Sequence, residues 1–137
     1  MRALPDLRLA AVAMLLALAM LPAAGRSQDD APGGEAQAGQ RQFLTSCGVC
    51  HTAEKGGGNR QGPNLYGVFG RRAGTLPDFA YSAALKNGGW VWDERTLDPW
   101  IANAQAAHPG TVMNYRQTNP AKRKLVIEYL KSLSAAP

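Results

Sequence analysis

The sequence predicts an all-α domain of short helices joined by long, glycine-rich loops. Three observations carry this. Residues 35–46 have helix-forming composition, and residues 120–133 repeat apolar side chains at helical spacing. Glycine and proline punctuate residues 51–80 too often for long regular elements. No segment reads as a strand, and there are no internal repeats. The chain has 137 residues, about one domain's worth, and 45% of them are hydrophobic. That fraction excludes wholesale disorder and a multi-span membrane protein. Two cysteines are too few for a disulfide-stapled mini-protein. The formal net charge of +5, taken alone, suggests an anionic partner such as nucleic acid, a membrane surface or an acidic protein.

The N-terminus is read as a targeting segment. Arg2 and Arg8 form a positive region, Leu9 to Leu21 is an unbroken apolar run of 13 residues, and Pro22 ends it. Ala23-Ala24-Gly25 supplies small residues for cleavage. The run is short of the ~20 residues a spanning helix needs, so an uncleaved anchor is the lesser reading. Residues 1–25 are therefore expected to be a signal peptide, 26–34 a flexible leader, and 35–137 the domain, in an exported, periplasmic protein. Cleavage near Ala24 or Gly25 leaves about 112 residues, a net charge of +4 and a single methionine, Met113.

The elements follow in order. Glu35 to Ser46 forms the first helix, and Ser82 to Lys86 a short one stopped by Gly88-Gly89. Asp93 is suited to cap a helix running through Trp100 and Ile101; Pro99 alternatively marks a restart capped by Asp98, and the sequence leaves both open. His108-Pro109-Gly110 is a turn. Asn119 caps the last helix, Pro120 opens it, and it runs to about Leu133. On it Leu125, Tyr129 and Ser132 share a face, with Val126 and Leu130 beside them; Lys122, Arg123 and Glu128 are expected to point outward.

So few short helices bury little apolar surface, and long loops need something to organise them. Both points ask for a large internal ligand. Cys47-Gly48-Val49-Cys50-His51 answers them: C-x-x-C-H is the attachment signature of c-type haem. Two thiols at this spacing can each form a thioether to one porphyrin, and the adjacent imidazole is carried under the iron. Competing readings are a thioredoxin-like redox pair, a structural disulfide, a zinc site using Cys47, Cys50, His51 and His108, and chance. The candidate sixth ligand of the iron is Met113, after the turn-forming Pro109-Gly110-Thr111-Val112; His108 is the other possibility.

With these motifs in place, the sequence resembles class I c-type cytochromes, close to a mitochondrial-like bacterial branch. The resemblance covers about Gly39 to Leu133. It rests on Cys47-x-x-Cys50-His51-Thr52, Gly62-Pro63-Asn64-Leu65, Gly67-Val68-Phe69-Gly70-Arg71, Tyr81-Ser82, Trp92, Pro109-Gly110-Thr111-x-Met113 and Glu128-Tyr129-Leu130-Lys131. It implies a cytochrome c fold wrapped around one covalently bound haem c, with His51 and Met113 on the iron. It implies that the Pro63 carbonyl accepts from the second nitrogen of His51. Arg71, Tyr81 and Trp92 resemble groups that hydrogen-bond or neutralise a buried propionate, and Thr111 sits where it helps close the methionine loop. Gly39 and Phe43 resemble the residues that cross the last helix near Val126 and Tyr129, and Trp100 falls beside the methionine.

The chain also departs from the family. Leu85 stands where asparagine is frequent. Ser46, Val112 and the stretch Gln105-Ala106-Ala107-His108 lack the lysines that ring the haem edge in mitochondrial relatives.

The expected function is therefore electron transport: a monomeric, exported, monohaem one-electron carrier and not an enzyme, with redox proteins docking transiently at the haem edge. One alternative is a dedicated acceptor subunit of a periplasmic dehydrogenase or sulfur-oxidising system. Another is a peroxidase-like or gas-binding protein with a displaceable methionine. Ionised propionates lower the mature charge to about +2, and Lys122-Arg123-Lys124 lies away from Met113. No nucleic-acid partner is expected, and membrane contact only through redox partners or an uncleaved anchor.

Overall fold

The computed structural model describes residues 33–134. The expected signal peptide (1–25) and residues 26–32 of the expected leader lie outside the described residues. Five helices follow one another: α1 (Gly34–Ser46), α2 (Ala83–Lys86), α3 (Glu94–Ala102), α4 (Ala104–Ala107) and α5 (Pro120–Ser132). α1 thus begins at Gly34, one residue inside the expected leader. Among the described residues the only sheet-like pairing is an isolated bridge between Arg72 and Val91. The fold is all-α, as its sequence predicts.

α1 and α5 cross closely because Gly39 has no side chain. A Cβ there would stand 2.6 Å from the Leu125 carbonyl oxygen and 2.8 Å from the Tyr129 Cβ. Phe43, one turn on, is 2% exposed and packs its ring 5.5 Å from that of Tyr129. The residues of α5 that bury fully are Val126, Ile127 and Leu130. The expected Leu125–Tyr129–Ser132 face is therefore displaced: Leu125 and Tyr129 are half-buried and Ser132 is exposed. The reason is that α5 packs against both α1 and α3, which widens and rotates its covered face.

The same packing corrects Arg123. Instead of pointing outward, its side chain is only 13% exposed. Nε and Nη2 donate to the two Asp98 carboxylate oxygens at 2.7 and 3.3 Å, and Nη1 donates to the carbonyls of Gln117 and Thr118. Lys122 is exposed as expected, and Glu128 is half-buried.

Asp93 starts α3 through a reciprocal cap: its Oδ1 accepts the Thr96 N–H at 2.9 Å, and Thr96 Oγ1 accepts the Asp93 N–H at 2.8 Å. The helix continues through Pro99, which decides between the two readings left open. Proline removes one donor to the Arg95 carbonyl, but both residues are exposed, so water can serve that oxygen. α4 is an addition. Asn103 ends α3 and caps α4, its Oδ1 accepting the Ala106 N–H. At α5, Asn119 Oδ1 accepts the N–H groups of Ala121 and Lys122, with Pro120 in the first turn.

Candidate cofactor site

The end of α1 carries the C-x-x-C-H segment into the interior. Cys47 caps the helix, and the N–H groups of Cys50 and His51 both donate to the Cys47 carbonyl, forming a tight turn. This turn brings Cys47, Cys50 and His51 to the wall of one cavity of about 310 Å³. Met113, Thr111, Trp100, Trp92, Tyr81, Arg71 and Pro63 line the same cavity, so every expected site residue is brought to it. Leu85, Leu97, Val126 and Leu130 give it an apolar interior. Ser46 and Val112 reach it as well.

His51 is held on two sides. Its Nδ1 lies 2.8 Å from the Pro63 carbonyl oxygen. A carbonyl can only accept, so Nδ1 carries the proton and Nε2 keeps a lone pair for a metal. Burial pushes the imidazole pKa down and the Pro63 carbonyl pushes it back up. Gly62 lies flat against the ring, since a Cβ there would fall on the imidazole atoms. Pro63 is itself fixed by its neighbours. Buried Asn64 donates to Thr52 Oγ1 at 2.7 Å and to the Glu54 carbonyl, while its N–H donates to Asn59 Oδ1.

The Cys47 thiol does not suit redox exchange. Both cysteines are free, and burial together with the neighbouring Cys50 pushes the Cys47 thiol up to about 12. A reactive cysteine needs the opposite shift. The zinc reading fails on geometry: among the described residues no three His, Cys, Asp or Glu side chains converge on a point. His108 is engaged elsewhere, stacked on Trp90.

The polar points suit carboxylates. Arg71 is half-buried, and it spends Nη1 and Nη2 on the carbonyls of Tyr66 and Asn64 at 3.2 and 3.3 Å. Burial lowers its pKa, and burial raises that of Tyr81, against which the Arg71 charge works. Ser82 lines the cavity with its hydroxyl buried and unpartnered. An orphaned hydroxyl at a cavity wall is a site for a bound acceptor. Two thiols, one imidazole with a free nitrogen, apolar walls and this orphan together fit a haem with ionised propionates.

The sequence matches the family model described as Cytochrome c over residues 36–134. That span takes in the whole site. The chain belongs to the cytochrome c family. It is 44% identical over 110 residues to a cytochrome c of Sesamum indicum, covering 80% of this chain and 99% of that protein. It is 44% identical over 107 residues to one of Chlamydomonas reinhardtii, covering 77% and 96%. With one of Euglena viridis it shares 41% over 101 residues, covering 73% and 98%. As a member of the cytochrome c family the protein binds one covalently attached haem c with its iron, and it carries electrons rather than catalysing a reaction.

Two features escaped sequence reasoning. Ser82 was visible as part of a motif, but its lack of a partner exists only in three dimensions. Gln105 was visible only as an absent lysine. In the fold its carboxamide donates to the carbonyls of Thr111 and Met113. No pattern in the chain announces that contact.

Proposed function

We propose that the protein is an exported, periplasmic, one-electron carrier whose haem iron is held by His51 and Met113. One observation carries this reading. His51 has its Nδ1 committed to Pro63 and its Nε2 free, in a cavity that Met113 also lines. Bound haem supplies a one-electron iron couple. Cys47 and Cys50 tether it, and Pro63 holds the imidazole in the ligating tautomer. Arg71, Tyr81, Trp92 and Ser82 bind and offset the propionates, and Thr111 accepts the Met113 N–H at 3.3 Å to shape the methionine loop. The apolar walls keep water from the iron. His51 and Met113 would both be engaged with the iron, which suits electron transfer over bond-making chemistry.

Partners dock transiently at the exposed edge of the haem, as small redox interfaces do. The protein acts as a monomer and uses no nucleic acid. It meets a membrane only through redox partners or an uncleaved anchor. Among the described residues no helix is long and apolar enough to cross one.

A pyridine haemochrome spectrum with a redox titration tests the cofactor and its ligand class. Met113→Ala should lose the low-spin His/Met spectrum; an unchanged spectrum overturns the ligand assignment. Mass spectrometry of the mature N-terminus tests export, with a cut near Ala24 or Gly25 expected.

A second reading is a dedicated acceptor for one dehydrogenase or sulfur-oxidising system. It is favoured by Val112, 80% exposed beside the methionine, and Val49, 82% exposed between the cysteines. Apolar groups there suit one complementary partner better than long-range charge steering. Reduction by a single donor in cross-reduction assays would favour it. The peroxidase-like or gas-binding reading needs a displaceable Met113, and carbon monoxide binding to the ferrous protein at neutral pH would support it.

A further inference from the structure

The segment that presents Met113 is held partly by apolar contact: Met113 and Tyr115 are half-buried against the core and Thr111 is buried, while Val112 between them is 80% exposed. Its polar anchorage comes largely from one side chain. Gln105 Nε2 donates to the Thr111 carbonyl at 2.8 Å and to the Met113 carbonyl at 3.2 Å, so it straddles residue 112. The N–H of Met113 meanwhile donates to Thr111 Oγ1, and the N–H of Thr111 donates to the His108 carbonyl. Gln105 is in turn placed by α4. Ala104 is fully buried, Asn103 caps the helix, and the Ala104 N–H donates to the Tyr115 carbonyl beyond the loop.

We propose that Gln105 is a positioning residue that holds Met113 in its ligating place independently of the sulfur–iron bond. The inference rests on the reading of Met113 as a ligand. A carboxamide offers two donor hydrogens from one nitrogen, which matches two carbonyls spaced two residues apart. Holding the loop beforehand removes the ordering cost of closing the sulfur onto the iron. It also raises the cost of letting an outside ligand displace it.

The test uses the holoprotein. Gln105→Glu keeps the shape and removes both donors, placing carboxylate oxygens against carbonyl oxygens. Gln105→Met removes the donors without adding charge. Imidazole is titrated into the ferric proteins, and thermal unfolding is measured in parallel. Each variant should bind imidazole about three- to ten-fold more tightly than wild type, with an unfolding midpoint lowered by no more than that gain in affinity accounts for. Wild-type imidazole affinity in both variants overturns the clamp. So does a fall in midpoint in both variants well beyond the gain in affinity, because that marks general loosening. Met113→Ala in the same titration separates the two readings. If it leaves the spectrum and the imidazole affinity unchanged, Met113 is not the ligand and both readings fall. If it opens the iron while the Gln105 variants stay closed, only the clamp falls.

Discussion

The imidazole of His108 lies flat on the indole of Trp90, with ring centroids 3.6 Å apart and planes 3° from parallel. Trp100 and Trp92 flank the same imidazole at 5.6 and 6.4 Å. The three indoles carry no charge, and burial among them pushes the histidine pKa down. The unfolded chain therefore takes up this proton before the folded one. Stability from the neutral stack is intact above the unfolded value of about 6.5 and is lost as pH falls toward the lower folded value. His108→Phe keeps the stack without the titration. Its unfolding midpoint should fall less steeply than wild type as pH drops below about 6.5. Parallel midpoint curves for the two proteins would sink this account.

Gly39→Ala tests the helix crossing. The added methyl meets backbone oxygen at one contact and a helical Cβ at the other, and neither can rotate away. Overpacking of this kind costs about 1–3 kcal/mol. Chemical denaturation of the holoprotein should show a lower midpoint. Gln40→Ala, on an exposed position of the same helix, should stay near wild type.

Arg123→Ala tests the α3–α5 tie. The change leaves Asp98 without its partner and the Gln117 and Thr118 carbonyls short of a donor. The expected loss is about 1–3 kcal/mol. Arg123→Lys should recover only part of it, since an ammonium cannot match the two-pronged contact with Asp98. Full recovery by lysine would show that charge alone matters there.

Ser82→Ala tests the orphan hydroxyl. If a propionate accepts from Ser82 in the holoprotein, losing that bond costs about 0.5–1.5 kcal/mol. If the hydroxyl stays unpartnered, the alanine variant gains stability instead. Thermal unfolding of the holoprotein gives the sign directly.

These sites differ in how far the chain alone discloses them. α1 and α5 are legible because a cap, a helix-opening proline and long runs of helix formers act locally. The C-x-x-C-H segment is legible because its chemistry requires fixed spacing. Arg123 is misread, because a charge in helical register looks solvent-facing until a second helix supplies Asp98. α4 is missed because its cap, Asn103, also closes the previous helix, so nothing local separates the two; α2, equally short, is marked by the Gly88-Gly89 stop. His108 resembles a loop histidine in sequence, and only the turn after α4 lays it on Trp90. Where the determinant is a contact between distant segments, local composition carries no trace of it.

The α1–α5 crossing joins the two ends of the domain. Gly39 and Leu125 are 86 positions apart, so closing their contact spans almost the whole domain. Closing so long a loop costs chain entropy that a local turn or cap does not. The same crossing seats Phe43 on Tyr129 and brings Val126 and Leu130 to the wall of the cavity that the turn carrying Cys47 and Cys50 also lines. A group tethered at the two cysteines therefore touches both ends of the domain, and its loss would loosen the crossing as well as empty the cavity.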